Sequence, residues 1–222
     1  MSPSAPAQLP TAAEVIALHD RLLATAGWPA EAPAPHDEAL WHWVQTNHRF
    51  NCRLWAEEDL ARRTTVGDAD IAANKRAIDG FNQARNDATE RVDEILLTAL
   101  GLVDAASART DAPVSTVPAG ARLNSETAGS IIDRMSIMAL KVHAMRQQTE
   151  RRDVDAEHIA ASGVKLARLR QQRADLGDCL EALLADAAAG RAYFKVYRQF
   201  KMYNDPRFNP ALVAEQARAG AR

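Results

Sequence analysis

The chain has 222 residues, 47% of them hydrophobic and 25% charged, an ordinary globular balance with enough apolar material for one large core. A formal net charge of -2 excludes a global bias toward nucleic acid or an anionic membrane surface. Cys52 and Cys179 stand far apart with no CxxC spacing, which excludes a disulfide framework and a cysteine-based zinc site and fits a reducing compartment.

The ten prolines fall in four clusters, at 3–10, 29–35, 113–118 and 206–210. Proline is excluded from helix interiors, so the proline-free stretches between them are helix candidates. Residues 1–10 are rich in Pro, Ala and Ser and lack the basic start and apolar stretch of a secretory signal. No apolar run reaches bilayer length, so the cytoplasm is the expected location. A short helix is predicted near 11–26, stopped by Gly27 and Pro29, and a long one over about 37–63. The next runs from about 68 to 102, with Asp68 as the expected N-cap. After a loop at 104–123, a third long helix spans about 126–149, capped by Ser125, and a fourth spans about 153–188, ended by Gly190. Val, Ile and Thr never alternate in runs, so no strand is expected in the main body.

Two of these helices carry heptad-like seams. Ile71, Ile78, Arg85, Val92 and Ala99 are spaced by seven, as are Asn74, Phe81, Ala88, Ile95 and Leu102. Leu166, Arg173 and Leu180, with Leu169, Leu176 and Leu183, repeat the pattern. The expected fold is all-α: one domain built on a bundle of four long antiparallel helices. Its parts would be an N-terminal tail and short helix over 1–35, the bundle over 36–190, and an aromatic, basic C-terminal segment over 191–222. The segment Phe81 to Asp87 also aligns with Leu169 to Asp175, which hints at a duplicated helical hairpin. The third long helix is apolar nearly all round and needs cover on every side. The short helix, the tail or a second copy in a homodimer could supply that cover.

Candidate functional residues are those that break the pattern. Arg85 and Arg173 occupy seam positions where Leu or Ile belongs, and a buried guanidinium demands a carboxylate, an anion or water. Asn47, Asn51, Glu58 and Arg62 share one stripe of the first long helix with Trp55 among them. Glu126, Ser130, Asp133 and Lys141 lie along one side of the third. Glu58, Glu126 and Asp133 are the candidate acid/base carboxylates. Asn51, Arg85, Lys141, Arg173, Arg198 and Lys201 are the candidate contacts to a phosphorylated ligand, with Arg198 and Lys201 closing the site. No Glu-x-x-His pair or two-histidine spacing is present, so no metal centre is assigned. Carboxylate-bound Mg²⁺ on Glu58, Asp59, Glu126 or Asp133 stays open. Gly-rich phosphate loops and nucleophile-elbow motifs are absent, and no cofactor is specified. Six of the twelve aromatics, Tyr193, Phe194, Tyr197, Phe200, Tyr203 and Phe208, alternate with basic residues in the C-terminal segment. Such a segment either stacks on a nucleotide or packs its rings on the body.

The strings Asn124 to Ile137, Phe81 to Asp87, Leu54 to Asp59 and Tyr197 to Pro206 resemble a bacterial domain-of-unknown-function family, number forty-two fifty-four. The resemblance covers about residues 40–210. It implies no assigned activity. Members are similar to proteins found beside glycosyltransferases of cell-surface polysaccharide synthesis, which implies a sugar-nucleotide or envelope setting. Two functional readings remain: a pocket for a phosphorylated or sugar-nucleotide ligand, and a non-enzymatic adaptor or oligomeric scaffold whose buried charges serve structure.

Overall fold

The computed structural model describes residues 9–31, 39–200 and 205–220, and it is predominantly helical. The first helix, α1, spans Ala12–Leu23. Its start is fixed by a capping box: the Thr11 hydroxyl accepts from the Glu14 amide at 3.2 Å, and the Glu14 carboxylate accepts from the Thr11 amide at 2.8 Å. Val15, Leu18, His19 and Leu22 recur at helical spacing and are all buried, which seats α1 on the body.

Helix α2 spans Ala39–Leu60 and α3 spans Asp68–Ala99. Gly67, not Asp68, is the N-cap of α3. Its extended backbone leads into the helix, and Asp68 falls in the first turn, where its charge still suits the helix dipole. Helix α4 spans Ala128–Thr149. Its cap is Thr127 rather than Ser125, with the threonine hydroxyl accepting from the Ser130 amide at 3.1 Å. Helix α5 spans Ala156–Ala188, capped by Asp155.

Two features went unforeseen. Strand β1, Arg122–Leu123, pairs in parallel with β2, Ala192–Tyr193. The Arg122 amide donates to the Arg191 carbonyl at 2.9 Å, and the Asn124 amide donates to the Tyr193 carbonyl at 2.8 Å. Two residues per strand are too few to register as an alternating pattern. The second is α6, Pro210–Gly220, within the expected tail.

Helices α2 and α3 pack on each other, as do α4 and α5, and α4 also touches α1, α2 and α3. This central position explains why α4 is apolar nearly all round, and α1 supplies part of its cover. The core gathers Val15, Val44, Val92, Leu96, Leu97, Ile131, Ile132, Met135 and Leu180. From the C-terminal segment Phe194 is fully buried, whereas Tyr197, Phe200 and Phe208 are exposed. Among the described residues, no helix is long and apolar enough to cross a membrane.

Where α3 crosses α4, a glycine is required. A Cβ on Gly129 would lie 2.6 Å from the Thr89 carbonyl oxygen and 2.9 Å from Asp93 Oδ1. The Gly129 amide donates to Asp93 Oδ1 at 2.7 Å, so a buried carboxylate of α3 helps cap α4. Burial pushes the Asp93 carboxyl up to about 7, against the opposing pull of its hydrogen bonds from Thr127 and Gly129.

Candidate cleft between α2, α3 and α4

The polar stripe of α2 opens onto a cleft of about 340 Å³. Asn51, Leu54, Trp55, Glu58 and Asp59 share one face of α2 and, with Arg62 just past its C-terminal end, form one wall. Asn82 and Arg85, one turn apart on α3, face them. Ile137 and Leu140, one turn apart on α4, complete the lining. The result is an apolar surface of Trp55, Leu54, Ile137 and Leu140 with charged and amide groups beside it.

Beneath the cleft lies a buried polar network. Asp133 Oδ1 accepts from Asn47 Nδ2 and Asn51 Nδ2, each at 2.8 Å. Asn51 Nδ2 is also 3.0 Å from Ser136 Oγ, which lies 2.7 Å from His48 Nδ1. Asn47 Nδ2 further donates to Thr89 Oγ1 at 3.1 Å. The Asp133 charge is thus stabilised chiefly by two side-chain amides. Arg85 Nε is 3.9 Å away, beyond hydrogen-bond reach. Arg85 Nη2 donates to Asn86 Oδ1 at 3.0 Å, but its Nε is buried with no hydrogen-bond partner. A desolvated guanidinium N–H left unpaired is costly, and the nearest acceptor, Asp133 Oδ1 at 3.9 Å, offers it electrostatic attraction without a hydrogen bond.

The predicted residues therefore divide. Asn51, Glu58, Arg85 and Asp133 meet at this cleft and its floor. Glu126 does not: it pairs with Arg134 near the start of α4. Lys141 is exposed and lines a separate groove of about 600 Å³ between α4 and α5, with Arg134, Gln172, Asp175 and Cys179. Arg173 is bound to Asp20 of α1 by two hydrogen bonds, at 2.6 and 3.1 Å. Arg198 sits between Glu90 and Glu94 at 2.8 and 2.6 Å and donates to the carbonyls of Ala108 and Thr110. It straps the C-terminal segment to α3 and the 104–118 loop and takes no part in lining the cleft. Lys201 lies outside the described residues.

Asn82, Ser136 and His48 were missed as site residues. Asn82 could have been found from its one-turn offset to Arg85, and Ser136 from the same offset to Asp133. His48 had the same offset to Asn51, but it packs beneath the cleft and does not line it. Its contact with Ser136 has the length of a nucleophile–base pair, yet both residues are fully buried. Burial drives His48 down to about 3 and raises the neighbouring Cys52 thiol to about 11. A weak base and a protonated thiol sealed from solvent suit packing better than attack on a substrate. Among the described residues, no group of three His, Cys, Asp or Glu side chains could hold a metal ion.

A family model described as "Protein of unknown function (DUF4254)" matches residues 41–196, a span that contains every residue lining the cleft. No curated protein and no solved structure matches the chain.

Proposed function

The chain belongs to the DUF4254 family, and we propose that its α2–α3–α4 cleft binds a phosphorylated small molecule, of which a sugar nucleotide used in cell-surface polysaccharide synthesis is the favoured class. The carrying observation is Arg85, a cleft-lining guanidinium whose buried Nε has no hydrogen-bond partner while its nearest carboxylate is held by amides. Nε itself is sealed from solvent, so an anionic oxygen would meet Arg85 through the part of its side chain, 26% exposed, that faces the cleft. The face of Trp55 offers a platform for a sugar or base ring. Glu58, Asp59 and Asn82 can accept hydroxyl hydrogens, and on this reading Glu58, which also pairs with Arg62 at 3.4 Å, would be the acid/base group.

The test is a thermal-shift screen against UDP- and GDP-sugars, hexose phosphates and free nucleotides. A ligand at one hundred times its Kd stabilises the native state by about 2.7 kcal/mol. For a chain of this size that raises Tm by about 5–10 °C. Arg85→Met should abolish the shift. A screen with no responding ligand, or a shift that survives Arg85→Met, would sink the proposal.

The scaffold reading has its own support. Arg173 and Arg198 both bind carboxylates of other elements and hold α1 and the C-terminal segment in place. Under that reading Arg85 too would serve packing alone, and no phosphorylated ligand would bind.

A further inference from the structure

Helix α1 is held to the body by a buried histidine pair that the cleft does not use. His19 of α1 and His48 of α2 are both fully buried, and their rings stack with centroids 4.4 Å apart and planes 26° apart. Trp28, in the turn after α1, stacks with His48 at 5.7 Å. Neither ring nitrogen of His19 has a hydrogen-bond partner. A neutral imidazole bears that at moderate cost. An imidazolium would be a buried charge with no acceptor, beside a second ring able to charge as well.

The charged and titratable groups around the pair are few. Asp20 of α1 draws His48 toward the protonated form, but both its oxygens already accept from Arg173 of α5. Arg173 itself opposes a charge on His19. From α2, Cys52 Sγ stands 3.8 Å from His48 Nε2, with its thiol held protonated. From α4 the contact is neutral Ser136. Burial outweighs the attraction of Asp20, and both rings are held neutral well below the ordinary histidine range.

We propose that the His19–His48 stack is a proton-operated latch, which seats α1 and the Trp28 turn on the body while both rings are neutral and releases them first in acid. The sign follows from linkage. Both folded-state values lie below 6.5, so the latch contributes fully above that pH and weakens as pH falls through it. One histidine held at about 3 makes opening about 30-fold easier at pH 5 than at pH 8. The latch does not depend on what the cleft binds. It does reach the cleft floor, because Ser136 joins His48 to Asn51.

Hydrogen exchange of the full chain at pH 8 and pH 5, corrected for intrinsic exchange rates, tests this. The opening constant of residues 12–23 should rise at least about 30-fold, while that of residues 174–188 in α5 changes far less. An equal change in both segments, or none in α1, overturns the latch. The double variant His19→Leu, His48→Gln should lose the acid sensitivity of α1. Should that variant not fold, ring-proton NMR of the wild-type chain decides. A ring that titrates near 6.5 while α1 stays protected overturns the proposal.

Discussion

Replacing Gly129 by Ala separates the two opposing effects of a helical glycine. In a helix interior this change normally stabilises by about 1 kcal/mol, because glycine has more backbone freedom to lose. At Gly129 the new methyl would sit 2.6 Å from the Thr89 carbonyl and 2.9 Å from Asp93 Oδ1, closer than the 3.0 Å that real Cβ atoms essentially never breach. The nearest obstacle is backbone, so no rotamer change relieves it. The α3–α4 crossing must widen by at least 0.4 Å, the gap between 2.6 and 3.0 Å. That movement also strains the 2.7 Å bond from the Gly129 amide to Asp93. Overpacking of this kind costs about 1–3 kcal/mol before the lost bond is counted. The net expectation is a loss of about 2 kcal/mol, or about 4–8 °C in Tm for a chain of this length. Gly80 in α3 and Gly163 in α5 are the controls, since a Cβ at either meets nothing within 4 Å. Gly80→Ala and Gly163→Ala should each raise Tm by up to about 4 °C. Calorimetric melts of the three variants settle the matter. A Gly129→Ala protein as stable as the wild type would refute the close crossing.

Other consequences follow from the buried charges. Asp93 has a folded value raised from 3.8 to about 7, so its contribution is present below pH 3.8 and is lost as pH rises toward 7, by at most about 4 kcal/mol. Urea titrations between pH 4 and pH 7.5 should therefore show Asp93→Asn gaining on the wild type as pH rises, and parallel curves would contradict this. Arg198→Ala leaves Glu90 and Glu94 without their shared cation and should lower the unfolding free energy by about 3 kcal/mol in urea, with early proteolysis beyond residue 190. The double change Arg85→Met, Asp133→Asn should leave Tm within a few degrees of wild type, since the amides that hold Asp133 can rearrange around Asn, yet abolish any ligand-induced shift. A retained shift would remove Arg85 from the binding site.

The helices were legible because proline spacing and seam periodicity are local signals, and each predicted long helix exists within a few residues of its expected ends. The caps were less so. Ser125 and Thr127 are equally good capping chemistry, and only the chain's approach from β1 decides between them. The paired two-residue strands are fixed by where α5 ends relative to the start of α4, a tertiary fact with no sequence period. Asp93 and Glu94 read as solvated helix residues, yet both are buried. What buries them is the close approach that Gly129 permits and the arrival of Arg198 from a segment more than one hundred positions away.

Arg85 and Arg173 show where sequence reading of the site reached its limit. Both break an apolar seam within similar local strings, and the expectation of a buried cation holds for Arg173, whereas the Arg85 side chain is 26% exposed. The partner depends on which element lies opposite. Arg173 faces α1, where Asp20 offers both oxygens and leaves the guanidinium satisfied. Arg85 faces α4, where Asp133 has already been taken by Asn47 and Asn51. Those two amides are one helical turn apart on α2, and they change Arg85 from a paired structural cation into one with an unused buried donor beside a cleft. On the proposed reading of the cleft, the competing donors are what set Arg85 apart from the structural Arg173. Asn47→Leu with Asn51→Leu should free Asp133 to draw Arg85 into a close ion pair, and with it remove the site's capacity for an anionic ligand.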